Sequence, residues 1–300
     1  MAGTEPPIGA SPPESVTQPA PRTPPEPQAE PMPVLEAGPA APTGLEAATE
    51  SAPSTPEPAS KPEAFAVSTA SMELAGQEQR VDVYRPAVVP STGAAIVAHG
   101  FGRSRVRHRD LGRALAAAGI TAVIPDLPQL LNIWLNGDAI VELAHKLEAG
   151  ALGLAPVERG RLVLIGTSAG GLASVLAAAE LPGLAGWIGL DPVDRTGTGA
   201  EAAAKMTAPA VVLLGAPSGC NLIGSGRVIA RAVPGLRRAP VFADASHCDF
   251  EDPTNKFCQV LCGSSSAAMQ ERIRGEVVKA ATEFLPRRAD RPTDALVDPE

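Results

Sequence analysis

No window of about 18 or more apolar residues occurs in this 300-residue chain, so stable insertion into a membrane as a spanning helix is not expected. The segment Met1 to Ala10 has neither the basic n-region nor the apolar h-region of a secretory signal, which argues for the cytoplasm if that start is authentic. Basic clusters are missing as well. Residues 1–65 carry nine Glu against Arg22 and Lys61, a charge of −7, leaving −1 of the total −8 for the remainder. Without a basic face the electrostatic footprint of a nucleic-acid binder is absent, and no nucleic-acid partner is expected. There is no dinucleotide fingerprint, phosphate-binding loop or metal-binding helix motif, so no cofactor and no metal are implied. Nor is there an internal repeat at solenoid or propeller spacing. Histidine is scarce, with four in the chain, and no cysteine precedes Cys220.

What is present divides unevenly. Residues 1–65 hold 17 of the 32 prolines and almost no aliphatic runs, a composition that cannot bury enough apolar surface to offset its ordering entropy. They read as a disordered Pro/Glu/Ala-rich tail or linker, 66–286 as a single folded domain, and 287–300 as a flexible C-terminal tail. Within the domain, short apolar runs alternate with helical patterns. Strands are expected at 81–84, 94–98, 121–126, 161–165, 187–190, 211–214 and 241–243, and helices at 110–118, 138–147, 169–179 and 267–284. This alternation predicts an α/β fold with a mostly parallel sheet covered by helices on both faces. The loops at the strand C-termini then share one edge, where ligands bind in such sheets.

The strongest chemical signal is Gly166-Thr167-Ser168-Ala169-Gly170, with an apolar strand before it and a small-residue helix after it. A neutral serine is a weak nucleophile and needs a base within reach and an exposed position. A strained strand-to-helix turn supplies the exposure, and flanking glycines relieve the crowding. The alternative is a plain structural turn. Of the histidines, His108 lies in an Arg-rich helix entry, His145 in a surface-like helix, and His99 precedes the turn by two strands. His247 alone follows in the order nucleophile, acid, histidine, and is the expected base. No Asp or Glu occurs between Glu201 and Asp244. If the triad is complete, the acid comes from Gly189-Leu190-Asp191-Pro192-Val193-Asp194, with Asp191 preferred and Asp194 the alternative; the competing reading of either is a turn aspartate that only bonds loop amides. The backbone N–H groups of Ala169 and Phe101 are the expected oxyanion donors, with His99 orienting the loop that carries Phe101. Phe101 and Trp134 are candidate linings of an apolar substrate pocket; plain packing is the alternative for Trp134.

From about Phe65 to Leu285 these motifs resemble the α/β-hydrolase superfamily, on the branch holding chlorophyllases, dienelactone-hydrolase-like enzymes and bacterial cutinase-like polyester hydrolases. Gly189 to Asp194 resembles the chlorophyllase motif whose first aspartate is the acid, which favours Asp191. Thr167 and Ala169 stand where that family usually has His and Arg. The resemblance implies a serine hydrolase acting on small or polymeric esters through an acyl-enzyme, as a monomer. An inactive binding protein on the same fold, and an acyltransferase or amidase using the same residues, are the alternatives. It also suits a Cys220–Cys248 bridge pinning the histidine loop, with Cys258 and Cys262 pairing locally, one of the three connectivities that four cysteines allow; a zinc site is the weaker reading of Cys258-x3-Cys262. Four cysteines and a Pro-rich tail resembling an export tether favour an exported location.

Overall fold

The computed structural model of the protein describes residues 64–87 and 91–286. The tail assigned to residues 1–65, except its last two residues, and the tail assigned to 287–300 lie outside the described residues. In chain order the strands are β1 (Phe65–Leu74), β2 (Gln77–Pro86), β3 (Ala94–Ala98), β4 (Thr121–Pro125), β5 (Leu162–Thr167), β6 (Gly186–Leu190), β7 (Ala210–Gly215), β8 (Leu236–Arg238) and β9 (Val241–Phe242). The α-helices are α1 (Arg109–Ala117), α2 (Ile133–Glu148), α3 (Ala169–Glu180), α4 (Thr198–Ala203), α5 (Gly226–Ala232), α6 (Lys256–Cys262) and α7 (Ala267–Phe284).

The strands form one sheet in the order β1-β2-β4-β3-β5-β6-β7-β8, with β9 also pairing β7. β1 and β2 run antiparallel, as do β2 and β4, and every other pairing is parallel. The apolar runs are continuous because both faces are covered. Alternate residues of each strand enter different cores: Ile96, Leu162, Leu164 and Val212 face one side with Ile140 and Leu143 of α2, Val175 of α3 and Ile229 of α5. Val97, Val163, Ile165 and Val211 face the other, with Leu111 and Leu115 of α1 and Ile273 and Val277 of α7. Among the described residues no helix is long and apolar enough to cross a membrane.

The structure departs from the sequence expectations at the edges. β1 was not expected: it is an edge strand, most of its residues are exposed, and its inward alternation is confined to the short stretch that ends in Met72 and Leu74. It forms a hairpin with β2 through Ala75 and Gly76, both at positive φ (48° and 73°). Helix α2 starts at Ile133 rather than Asp138, since Asn132 caps it by accepting a hydrogen bond from the Leu135 amide. β8 and the short helices α4, α5 and α6 carry too little periodicity to be read from spacing.

Candidate active site

Ser168 sits between β5 and α3 with φ 56° and ψ −122°, a conformation that L-residues rarely adopt and that costs of order 1–3 kcal/mol. The surrounding backbone holds it there: its amide donates to Leu190 O (3.0 Å), and its carbonyl accepts from Val193 N and Leu172 N (3.2 Å each). Two of the glycines are required sterically. A Cβ on Gly166 would lie 2.3 Å from both Gly170 O and Ser174 Oγ, and one on Gly170 would lie 2.3 Å from His99 O. The turn thus packs directly onto the end of β3.

Three of the expected residues converge. His247, in the loop after β9, places Nε2 2.9 Å from Ser168 Oγ and Nδ1 2.6 Å from Asp191 Oδ2. A carboxylate only accepts, so Nδ1 carries the proton and Nε2 is left to accept from the serine hydroxyl. Asp191 is 1% exposed at the end of β6, held at φ 42° by its amide's bond to Leu213 O. Its Oδ1 also accepts the Gly215 amide (2.9 Å) at the end of β7.

Asp194 lies elsewhere. Its carboxylate accepts the amides of Thr196, Gly197 and Ala200 (3.3, 2.9 and 3.0 Å), satisfying backbone donors in the loop entering α4. That is the amide-bonding role considered above for these aspartates. One important residue escaped the sequence reading altogether: Asn221, fully buried, donates Nδ2 to Asp191 Oδ2 and Oδ1 (3.0 and 3.3 Å). A lone asparagine in a Gly/Ser-rich loop carries no motif, and a contact with Asp191 30 residues earlier has no sequence signature.

His99 is buried at the end of β3. Its Nε2 accepts from Leu127 N and its Nδ1 donates to Gly100 O, both at 2.9 Å, which fixes the neutral tautomer. Burial lowers its pKa below the ordinary histidine value, reinforcing that neutrality. His99 therefore joins the loop after β3 to the loop after β4. Gly100 approaches Ser168 so closely that a Cβ there would lie 3.2 Å from Ser168 Cβ. His145 is exposed on α2, and His108 is wholly buried beneath the His247 loop.

A cleft of about 140 Å³ opens beside the serine, lined by His99, Phe101, Arg103, Leu130, Ile133 and Ala169 among others. Phe101 is 57% exposed at its wall. Trp134 is 56% exposed and does not line the cleft itself, being the neighbour of Ile133 in the first turn of α2. Among the described residues neither the Phe101 nor the Ala169 N–H donates to another protein group. Arg103, facing the same cleft, makes a two-pronged ion pair with Glu251 (2.5 Å for each prong) and a 3.0 Å bond to Asn255. Both charged side chains are at most 10% exposed. The pair ties the loop after β3 to the segment following His247, and removing one partner would cost about 3–5 kcal/mol.

The cysteine expectation is corrected. The bridges are Cys220–Cys262 and Cys248–Cys258, not Cys220–Cys248 with Cys258–Cys262. Cys258 and Cys262, four apart on α6, project side by side from one face rather than toward each other. Each therefore reaches a different loop: Cys258 joins Cys248 beside His247, and Cys262 joins Cys220 beside Asn221. The sulfurs of Cys248, Cys258 and Cys262 lie within 4.8 Å of one another, but all are consumed in disulfides.

No family model matches the sequence, and no curated protein matches it significantly. Solved structures do match. A dienelactone hydrolase from Anabaena variabilis superimposes with a TM-score of 0.58 at 19% identity, over 74% of this chain and 99% of that one. The chain has the α/β-hydrolase fold. The α/β-hydrolase fold is shared by brefeldin A esterase, described as a bacterial homologue of human hormone-sensitive lipase (TM-score 0.54, 15% identity, 77% of this chain and 80% of that). A mutant of the esterase rPPE matches similarly (TM-score 0.52, 20% identity, 74% and 82%). At such identities the likeness concerns architecture; an α/β-hydrolase fold hosts many activities.

Proposed function

We propose that the protein is a serine hydrolase that cleaves carboxylic esters through an acyl-enzyme. The observation that carries this reading is the unbroken hydrogen-bond chain from Ser168 Oγ through His247 to Asp191, built from the ends of three parallel strands. In the proposed reaction Ser168 Oγ attacks the ester carbonyl while His247 Nε2 takes its proton. The N–H groups of Phe101 and Ala169 receive the developing oxyanion; their lack of protein partners among the described residues supports that role. Collapse of the tetrahedral intermediate expels the alcohol, protonated by His247. Water, deprotonated by the same imidazole, then attacks the acyl-serine and releases the acid. Asp191 holds the tautomer throughout and stabilises the transient imidazolium.

Apolar side chains at the cleft suit an uncharged substrate. Phe101 and Leu130 line it, and Trp134 stands beside the lining residue Ile133. Small esters and polymer chain ends both fit this description, and the Gly189 to Asp194 unit supports kinship with the chlorophyllase, dienelactone-hydrolase and cutinase-like branch. The two disulfides support an exported, oxidising location. We take the working unit to be a monomer. The test is turnover of a small chromogenic ester. Ser168→Ala and His247→Ala should each lower kcat by a factor on the order of 10⁴ to 10⁶. Wild-type turnover by folded Ser168→Ala would remove the proposal.

A further inference from the structure

We propose that Asn221 is a positioning residue for the reaction, acting through Asp191; this rests on the triad reading above. The argument starts from where the loop after β7 lies. Many α/β-hydrolases place the acid there, yet this loop holds no carboxylate and delivers an amide instead. Asn221 is 0% exposed, and every polar valence of its side chain is used. Its Oδ1 accepts from Ser218 N and Gly224 N at 2.8 Å each, which fastens the amide to its own loop. Its Nδ2 donates to Ala216 O at 2.7 Å and to the Asp191 carboxylate. The amide cannot flip without setting its oxygen against a carboxylate and a carbonyl, so its orientation is fixed by the chemistry of its neighbours.

The consequence falls on Asp191. Its two oxygens receive three groups: Gly215 N, Asn221 Nδ2 and His247 Nδ1. Asn221 Nδ2 touches Oδ2, the same oxygen that receives the imidazole, and so sets the angle at which the carboxylate meets His247. In a buried setting such a bond to a charged acceptor is stronger than one between neutral groups. The bridge between the adjacent Cys220 and Cys262 then anchors this loop to α6, whose Cys258 is joined to Cys248 beside His247. The Asn221 loop and the His247 loop are thus both fastened to α6.

A purely scaffolding role is separable from this one. Asn221→Asp has nearly the same shape and keeps an acceptor for Ser218 N and Gly224 N, but replaces the donor to Asp191 with a repelling oxygen. Asn221→Ala and Asn221→Ser remove the donor without adding charge. In ester turnover, all three should lower kcat at least tenfold with KM changed less than about threefold, Asn221→Asp most severely. The downfield proton resonance of the His247 Nδ1–H should move or vanish in each, a signature that loosening of a surface loop would leave alone. The expected result is both effects in variants whose near-UV circular dichroism matches wild type. Wild-type kcat and an unmoved resonance in any folded variant would overturn the proposal, and so would failure of all three to fold, which would assign Asn221 to the fold alone. A separate outcome, full activity of Ser168→Ala, would refute the triad reading beneath it.

Discussion

Replacing His108 by methionine should make the protein markedly less sensitive to acid. His108 is 0% exposed, and among the described residues neither ring nitrogen has a partner. It lies between the entry of α1 and the His247 loop, flanked by backbone bonds from Asp252 N to Arg107 O and from Asp110 N to Asp252 O. Around it are Leu111, Leu190, Phe250, Ile273 and Val277, with Asp249, Asp252 and Arg274 at the same small cavity. Burial, aided by the proximity of His99 and Arg103, pushes its pKa down to about 3. In the unfolded chain the same imidazole takes a proton near pH 6.5. Below that pH the unfolded state binds a proton that the folded state refuses, so stability falls with decreasing pH until about pH 3. At about 1.4 kcal/mol per pH unit the full loss is roughly 5 kcal/mol, and about 3 kcal/mol of it is reached by pH 4. Against a usual net stability of about 5–15 kcal/mol, that is enough to set the acid limit of the fold. Methionine does not titrate, adapts to irregular spaces and removes two unsatisfied polar atoms. Urea unfolding near pH 7 and near pH 4 reads the difference. His108→Met should match or exceed wild type at the higher pH and lead it by about 3 kcal/mol more at the lower. Curves that fall in parallel to within about 1 kcal/mol would refute the reasoning.

Two further outcomes are expected. Mass analysis of unreduced digests should recover Cys220 with Cys262 and Cys248 with Cys258, and reduction should destabilise the protein by about 2–4 kcal/mol per bridge; peptides joining Cys220 to Cys248 would contradict the connectivity. Asp191→Asn should lower kcat by a factor on the order of 10⁴ while Asp194→Asn retains most activity and loses stability at the α4 entry, and the reverse ranking would transfer the acid role.

How far the chain could be read without coordinates depended on how local each feature is. The turn at Ser168 was legible because its strand, glycines and helix are contiguous, and because Gly166 and Gly170 answer a steric need within a few residues. His247 was reachable by elimination, since only four histidines exist. Asp191 is preferred over Asp194 in the sequence for its place at the strand terminus and the motif it opens; the structure turns the Asp191 carboxylate toward the imidazole and the Asp194 carboxylate toward the amides entering α4. Pairing of the cysteines failed for a related reason. It depended on a short helix, α6, whose existence the sequence did not announce and whose face presents two sulfurs to two different loops. Asn221 illustrates the limit most plainly, because its role comes entirely from what lies across the sheet edge. β1 went unread because most of its residues face solvent, with only Phe65 at one end and Met72 and Leu74 at the other packed against the cores.

The central claim is that Ser168 is an activated nucleophile, and a serine-reactive fluorophosphonate probe tests it most directly. The account predicts rapid covalent labelling of the folded protein, mapped by peptide mass to Ser168, and its loss in Ser168→Ala and near-loss in His247→Ala. Folded wild-type protein that stays unlabelled, or that is labelled at another residue, would contradict it.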